Sequence, residues 1–511
     1  MTETAPFAVH MRGIHKRFGA VHANVDVHLT VRAGTVHGLV GENGAGKSTL
    51  MSVLYGFYRA ESGSISVFGK EAQIHNADDA IALGIGMVHQ HFMLVDTLTA
   101  LENVMLGAEP HWLLNHATAT VRSKLDALMQ STGLNVKLDA LVADLSVGDR
   151  QRLEILKALY RGAKILILDE PTAVLTPQET LQLFDVLRGL RDQGTTIILI
   201  THKLKEVMGL CDFVTVMRTG QVVQELPIAQ ATIEGLAESM VGRKVHMGRV
   251  DGVTRHEGEV LLDLRQVEVR DAMQVLRLCD INLQLRAGEI VGVAGVSGNG
   301  QSELLDVLSG LLTPSQGELN LAAQRFTPAH WLDPLTARTL GLAHVPEDRH
   351  ARALVMDFAA WESAVLGYEN LSAYSDGPWM AHGRMRQATA DMMESFDVRP
   401  RNPALLSSKF SGGNQQKLVL ARELGQAPKV LLVGQPTRGV DIGAIEFIYG
   451  RLRAMRDAGC AVLVVSSELD EILALADRVI VMNQGRIAGE LAIAECTEAG
   501  LGLLMTGGSQ A

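Results

Sequence analysis

The densest chemical signal in this sequence is the run Gly41-Glu42-Asn43-Gly44-Ala45-Gly46-Lys47-Ser48-Thr49. It fits G-x-x-x-x-G-K-[ST], with a strand-like stretch at 35–40 before it and a helical stretch, STLMSVLYG, after it. Glycines let successive backbone N–H groups turn inward around phosphate oxygens, and the start of a helix adds favourable partial charge for an anion. Lys47 can reach the β- and γ-phosphates, and Ser48 can hold a divalent metal. A Gly-rich turn with no ligand would have no use for the lysine, the hydroxyl and the flanking elements together. The chemistry indicated is the binding of a nucleoside triphosphate.

A second run, Gly295-Val296-Ser297-Gly298-Asn299-Gly300-Gln301-Ser302, keeps the glycines and the hydroxyl but puts Gln301 where the lysine stood. A neutral amide cannot neutralise charge developing on phosphate as an ammonium does. This loop is expected to support little hydrolysis, and the residues leave open whether it holds nucleotide.

Both loops sit inside a longer internal repeat, which sets the architecture that must position them. VRAGTVHGLVGENGAG at 31–46 recurs as LRAGEIVGVAGVSGNG at 285–300. LSVGDRQRLEILKAL from Leu145 recurs as FSGGNQQKLVLAREL from Phe410, and ILILDEPTAVLT from Ile165 as VLLVGQPTRGVD from Val430. Three blocks in one order divide the chain into homologous halves, 1–243 and 258–511, joined by a polar linker at 244–257. Within each half short β-branched runs such as ILIL, TTIILI and VLVV alternate with longer helical segments, which predicts an α/β fold with a largely parallel sheet.

The bulk properties narrow the function. A chain of 511 residues is too long for one core, and 47% apolar with 20% charged residues is ordinary globular composition. A net charge of −11 without long single-sign runs argues against a protein built to grip nucleic acid, which needs concentrated Lys and Arg. The four cysteines, Cys211, Cys279, Cys460 and Cys496, are scattered and read as small buried hydrophobes rather than a disulfide or zinc framework. The N-terminus has no signal-peptide pattern, and no stretch approaches the roughly 20 apolar residues of a bilayer span. Work at a membrane would require another subunit.

The block LSVGDRQRLEILKALYRGAKILILDEPTAVL at 145–175 joins a Ser–Gly signature, a helix and an apolar strand ending in Asp169–Glu170. Together with FSGGNQQK at 410–417, Phe18 before the loop, Gln90 after GIGMVH and His202 after TTIILIT, it resembles the ATP-binding-cassette (ABC) ATPase family over nearly the whole chain. The resemblance implies two tandem P-loop NTPase domains, each with a RecA-like α/β core and a helical subdomain, using ATP and Mg²⁺. It implies that Phe18 stacks on adenine, Asp169 with Ser48 and Gln90 positions Mg²⁺, and Glu170 orients the attacking water. Gln90 would sense the γ-phosphate and His202 contact it.

In this family each ATP lies between the phosphate loop of one domain and the signature of the other. Site one would combine Lys47, Ser48, Gln90, Asp169, Glu170 and His202 with Ser411, Gly412 and Gly413 and with Asp441. Site two would combine Gly295, Gly298, Gly300, Gln301 and Ser302 with Ser146 and Gly148. There Glu347 replaces the sensing glutamine, Gly434 and Gln435 replace the Asp–Glu pair, and Ser467 replaces the histidine. Val147 and Asp149 depart from the signature, Thr176 stands where Asp441 does, and no aromatic lies near 272. Because the conspicuous losses all fall on site two, site one is expected to hydrolyse and site two to be structural or regulatory.

Tandem halves with a short linker and no membrane span resemble the ATP-binding subunit of bacterial importers of sugars and related solutes. QPTRGVDIGAIEFIY at 435–449 and SSELDEIL at 466–473 bring it nearest the branch paired with basic-membrane-protein-type lipoproteins, whose cargo is nucleosides or purines. That implies integral membrane permease subunits and an extracytoplasmic solute-binding lipoprotein as partners, no nucleic acid, and a peripheral place on the cytoplasmic face of the cell membrane. Phe92, Met93 and Leu94, and later Leu354 and Val355, are candidates for the permease docking surface, with core packing as the alternative for each. The competing classes are a soluble tandem ATPase acting on ribosomes or nucleic acid, and a purely structural nucleotide-binding module. The acidic charge and short linker disfavour the first, and the complete first loop disfavours the second.

Overall fold

The computed structural model describes residues 7–19, 21–89, 92–107, 114–172, 175, 177–244, 258–296, 298–440 and 442–505. Gln90, Thr176, Ser297, Asp441 and the linker residues 245–257 lie outside the described residues. The chain divides into two compact units, Met1–Val245 and His246–Ala511.

In the first unit a six-stranded sheet runs in the order Gln221–Pro227, Phe213–Arg218, Val36–Val40, Thr196–Ile200, Ile165–Asp169, Ile85–Val88. All neighbours pair in parallel except the edge strand Gln221–Pro227. Its inner strands VHGLV and TIILI are buried at every position, the continuous apolar pattern of strands covered on both faces. The second unit repeats this order with Arg486–Ala492, Arg478–Asn483, Ile290–Ala294, Ala461–Ser466, Val430–Gly434 and Leu342–Val345. The strand leading into each phosphate loop is pinned at its start by a carboxylate: Asp212 accepts from the Val36 amide and Asp477 from the Ile290 amide, at 2.8 and 2.9 Å.

The architecture is more than the parallel sheet expected from the β-branched runs. Each unit adds a separate four-stranded antiparallel sheet, ordered Val21–Arg32, Phe7–Phe18, Ser62–Val67, Lys70–Ala72 in the first and Leu276–Arg286, Val260–Arg270, Gln316–Leu321, Gln324–Phe326 in the second. LRLCDINLQLR shows why: its residues alternate between buried and exposed along most of the strand, so one face joins a core and the other meets water.

A helical part completes each unit. In the first, Ala100–Met105, Leu114–Thr132 and Val147–Tyr160 enclose a core cluster of their own around Leu101, Val104, Leu125 and Leu153. A capping box in which Thr99 and Glu102 exchange hydrogen bonds starts the first of these helices. The counterparts in the second unit are Ala360–Ser363, His382–Ser395 and Gly412–Leu424. Among the described residues no helix is long and apolar enough to cross a membrane.

Candidate functional site

Four neighbouring strands of the first sheet deliver their carboxyl ends to one place, the position where open parallel sheets bind ligands. Val36–Val40 runs into the phosphate loop, and the helix Lys47–Leu54 begins directly after it. Gly46 adopts φ +97°, and a Cβ there would lie 2.2 Å from the Ala23 carbonyl, so only glycine fits. The Asn24 side-chain amide donates to the Gly46 carbonyl at 3.1 Å and ties the antiparallel sheet to the loop. Lys47 is buried, and its ammonium donates to the carbonyls of Gly41 at 2.7 Å and Glu42 at 3.0 Å, bracing the curve of the loop. Glu42, Asn43, Gly44, Ala45 and Thr49 complete the same loop and first helical turn.

The strand Ile165–Asp169 supplies two carboxylates with different surroundings. Asp169 accepts a hydrogen bond from Ser48, and burial pushes its carboxyl above the usual range while Ser48 and Lys47 pull it back. Hydroxyl and carboxylate oxygens facing each other form the hard donor set that suits a small divalent cation. Glu170 stands at φ +49°, an uncommon conformation for this residue type, held by its amide donating to the Ile200 carbonyl at 2.9 Å. That turn aims its carboxylate at His202, whose Nδ1 lies 2.8 Å from Glu170 Oε1. Burial alone would raise the Glu170 carboxyl, but His202, Lys47 and Lys203 outweigh it and hold it below the usual range.

Phe18 ends its strand 43% exposed, edge-on to Tyr58 at 5.0 Å, with the Lys16 ammonium over its ring at 5.2 Å. This flat, exposed ring is available for stacking. Gln90 lies two residues beyond the strand Ile85–Val88, outside the described residues.

The second unit carries the same backbone with other side chains. Gly298 and Gly300 adopt φ +91° and +101°, and the helix Gln301–Leu308 follows them after the strand Ile290–Ala294 and Gly295. Gln301 is buried like Lys47, and its amide donates to the Val296 carbonyl at 3.2 Å. Gln435 repeats the strained turn of Glu170 at φ +47°, and its Oε1 accepts from Ser467 Oγ at 3.2 Å. Ser302 Oγ donates to Glu347 at 2.7 Å, a contact that sequence reading missed because it counted Glu347 only as a lost glutamine.

The two signature turns differ in charge. In the first unit Ser146 Oγ donates to the Asp149 carboxylate at 2.9 Å, and the Glu179 carboxylate sits where a Cβ on Gly148 would point, 2.6 Å away. In the second unit Ser411 accepts from the Asn414 amide at 2.8 Å, and the Arg349 guanidinium lies 2.8 Å from a Cβ built on Gly412. Arg349 also donates to the Arg438 carbonyl at 2.8 Å, and His350 Nε2 meets Gln415 at 2.8 Å. Thus the segment after Glu347 braces the turn of Ser411, Gly412 and Gly413 inside its own unit. No spacing rule in the sequence signals that contact.

Of the docking candidates, Met93 is 61% exposed whereas Leu354 is buried in the second unit's core, so packing is the role of Leu354. Cys211, Cys279 and Cys460 are buried and Cys496 is half-buried.

The ABC transporter family profile matches residues 25–173 and 278–438. The nucleoside import ATP-binding protein NupA of Lactococcus lactis is 42% identical over 501 residues, covering 98% of each chain. The guanosine import ATP-binding protein NupO of Bacillus subtilis is 43% identical over 504 residues, covering 99% of this chain and 98% of its own. Among solved structures, archaeal ribosome recycling factor aABCE1 in complex with stalk protein aP1 matches 96% of this chain and 92% of its own, with a TM-score of 0.65. At 18% identity that likeness speaks for the fold alone. With the loop, the Asp–Glu strand end, the histidine and the signature present in order and the likeness spanning both units, this chain belongs to the ABC transporter family, as an ATP-hydrolysing subunit with two cassette domains of the P-loop α/β fold.

Proposed function

We propose that this chain powers the import of a nucleoside or purine through separate membrane permease subunits, hydrolysing ATP at the loop of its first unit. The observation that carries the reading is the first unit's Glu170–His202 pair beside the Ser48–Asp169 pair, at the ends of two neighbouring strands of which one, Thr196–Ile200, pairs with the strand leading into the phosphate loop. Full-length likeness to nucleoside and guanosine import ATP-binding proteins supports the cargo class.

In this reading the loop amides and Lys47 hold the β- and γ-phosphates, Phe18 stacks on the base, and Ser48 and Asp169, with Gln90, hold Mg²⁺. When bound, Mg²⁺ would supply positive charge that offsets the charge of the phosphates. Glu170, ionised at neutral pH, accepts a hydrogen bond from the attacking water and orients it in line, while His202 fixes the carboxylate that does so. By family resemblance, Ser411, Gly412 and Gly413 are signature residues that contact ATP. Their turn carries an amide and a guanidinium, whereas the turn of Ser146 and Gly148 carries the carboxylate of Glu179 and that of Asp149, the latter paired with Arg152 at 2.8 Å. The protein sits peripherally on the cytoplasmic face of the membrane, with a solute-binding lipoprotein on the other side.

Co-purification with the permease and reconstitution in liposomes tests this. ATP hydrolysis should rise when the lipoprotein is loaded with guanosine or another nucleoside. Recovery of RNA or ribosomal proteins in place of membrane subunits would overturn the reading.

A further inference from the structure

We propose that the second phosphate loop is itself a divalent-cation and nucleotide site, its metal-binding carboxylate supplied by Glu347 from the neighbouring strand. Ser302 and Glu347 there hold the ion that Ser48 and Asp169 hold in the first unit. The inference rests on the reading of Ser48 and Asp169 as a metal pair.

The equivalence of positions comes from strand register. Asp169 pairs with Ile200 at the end of its strand, and Gly434 pairs with Val465 at the end of the corresponding one. The residues that follow, Glu170 and Gln435, share the same positive φ and the same amide hydrogen bond to the neighbouring strand, at 2.9 and 2.8 Å. Gly434 therefore occupies the place of Asp169. Val88 pairs with Leu168 and Val345 with Val433, so Glu347 lies two residues beyond its strand as Gln90 does beyond its own.

Counted one at a time, both changes look like losses. In space they are a single exchange. A Cβ placed on Gly434 would lie 2.5 Å from Cγ of Glu347 and 3.0 Å from its backbone nitrogen. The stem of Glu347 thus fills the volume that an aspartate at 434 would need. Its carboxylate reaches across to Ser302 Oγ at 2.7 Å, the partner that Ser48 finds in Asp169. Glutamate is one methylene longer than aspartate and spans the gap from the adjacent strand. Aspartate at 434 together with glutamate at 347 would collide and would crowd two anions, so the glutamate requires the glycine.

The rest of the loop is compatible with an anion. Gly298 and Gly300 hold the left-handed conformations that Gly44 and Gly46 hold at +84° and +97°. The side chain at the lysine position is buried in both units. With Gln301 neutral, most of the positive charge at the phosphates must come from the cation, so nucleotide binding here depends on the metal more strictly than at the first loop. Gln435 and Ser467 stand in place of Glu170 and His202, so the carboxylate that orients water in the first unit is replaced by a neutral amide. The exchange therefore preserves binding and abandons hydrolysis.

Mn²⁺ bound to the full-length chain in the presence of ADP, counted by electron paramagnetic resonance, tests the assignment. The wild type should bind two ions per chain. Asp169→Ala should remove one, and Glu347→Ala should weaken the other at least about tenfold, the scale on which lost support of a metal site is felt. Glu347→Ala combined with Gly434→Asp, which moves the carboxylate back to its first-unit position, should recover that ion. A Glu347→Ala chain that keeps both ions overturns the proposal, as does a wild type with one ion that Asp169→Ala removes, or a folded double variant with no recovery. Loss on Glu347→Ala with no loss on Asp169→Ala upholds the second site and sinks the first-site assignment.

Discussion

At the end of Ile165–Asp169 the first unit places a carboxylate, then a glutamate at φ +49° that reaches His202. At the end of Val430–Gly434 the second unit places a glycine, then a glutamine at φ +47° that reaches Ser467. A non-glycine residue in this region costs on the order of 1 kcal/mol and persists only where its surroundings fix it. The second unit keeps that cost although its side chain can no longer activate water. The backbone of the cassette is therefore maintained independently of hydrolysis, and the chemistry resides in side chains that can be exchanged on it.

The largest effect separating the two ends should come from Glu170→Gln. It should cut ATP hydrolysis by about 10²–10⁴-fold while nucleotide binding, measured by equilibrium dialysis, persists. Gln435→Glu should change turnover less than about twofold, and a comparable effect there would break the contrast. Removing His202 should cost less, about 10–100-fold, because it deletes one hydrogen bond to a charged group and leaves the carboxylate in place. Ser467→Ala is the matching control and should be close to silent in the same assay.

A smaller difference concerns a pair of buried glutamates. Glu206 is satisfied, its two oxygens accepting from Thr172 at 2.6 Å and Thr201 at 3.1 Å. Glu471, at the corresponding place beside Thr437 and Ser466, is fully buried with Oε1 unpartnered, and burial reinforced by Glu468 pushes its carboxyl up from 4.5 to about 8. The folded protein then retains a proton that the unfolded chain releases, so the second unit's stability falls as pH rises from about 4.5 toward 8. Glu471→Gln should flatten that dependence in thermal melts and raise the Tm of the second unit at pH 8 by about 2–4 °C per kcal/mol regained. An unchanged pH slope would show that the carboxyl is ionised in the folded state.

Much of this contrast was legible in the residues themselves. Lys47 against Gln301, Glu170 against Gln435 and His202 against Ser467 are type changes at fixed places within motifs, so spacing alone locates them. The α/β organisation likewise follows from runs such as ILIL at 165–168, which are apolar and buried at every position because both faces are covered. The Ser302–Glu347 contact and the Arg349 brace on the signature turn were not legible. Each joins residues 45 or more positions apart, and neither a glutamate nor an arginine announces its partner through periodicity. The antiparallel sheets escaped notice for a related reason. Their half-exposed strands look like polar loops unless the alternation is followed residue by residue.

The central claim, that turnover belongs to the first loop alone, is tested most directly by measuring ATP hydrolysis of the reconstituted complex with Lys47→Ala and with Gln301→Ala in parallel. Lys47→Ala should lose about 10²–10³-fold, the scale of a preorganised group that stabilises transition-state charge, and Gln301→Ala less than about twofold. Equal losses from the two substitutions would contradict it.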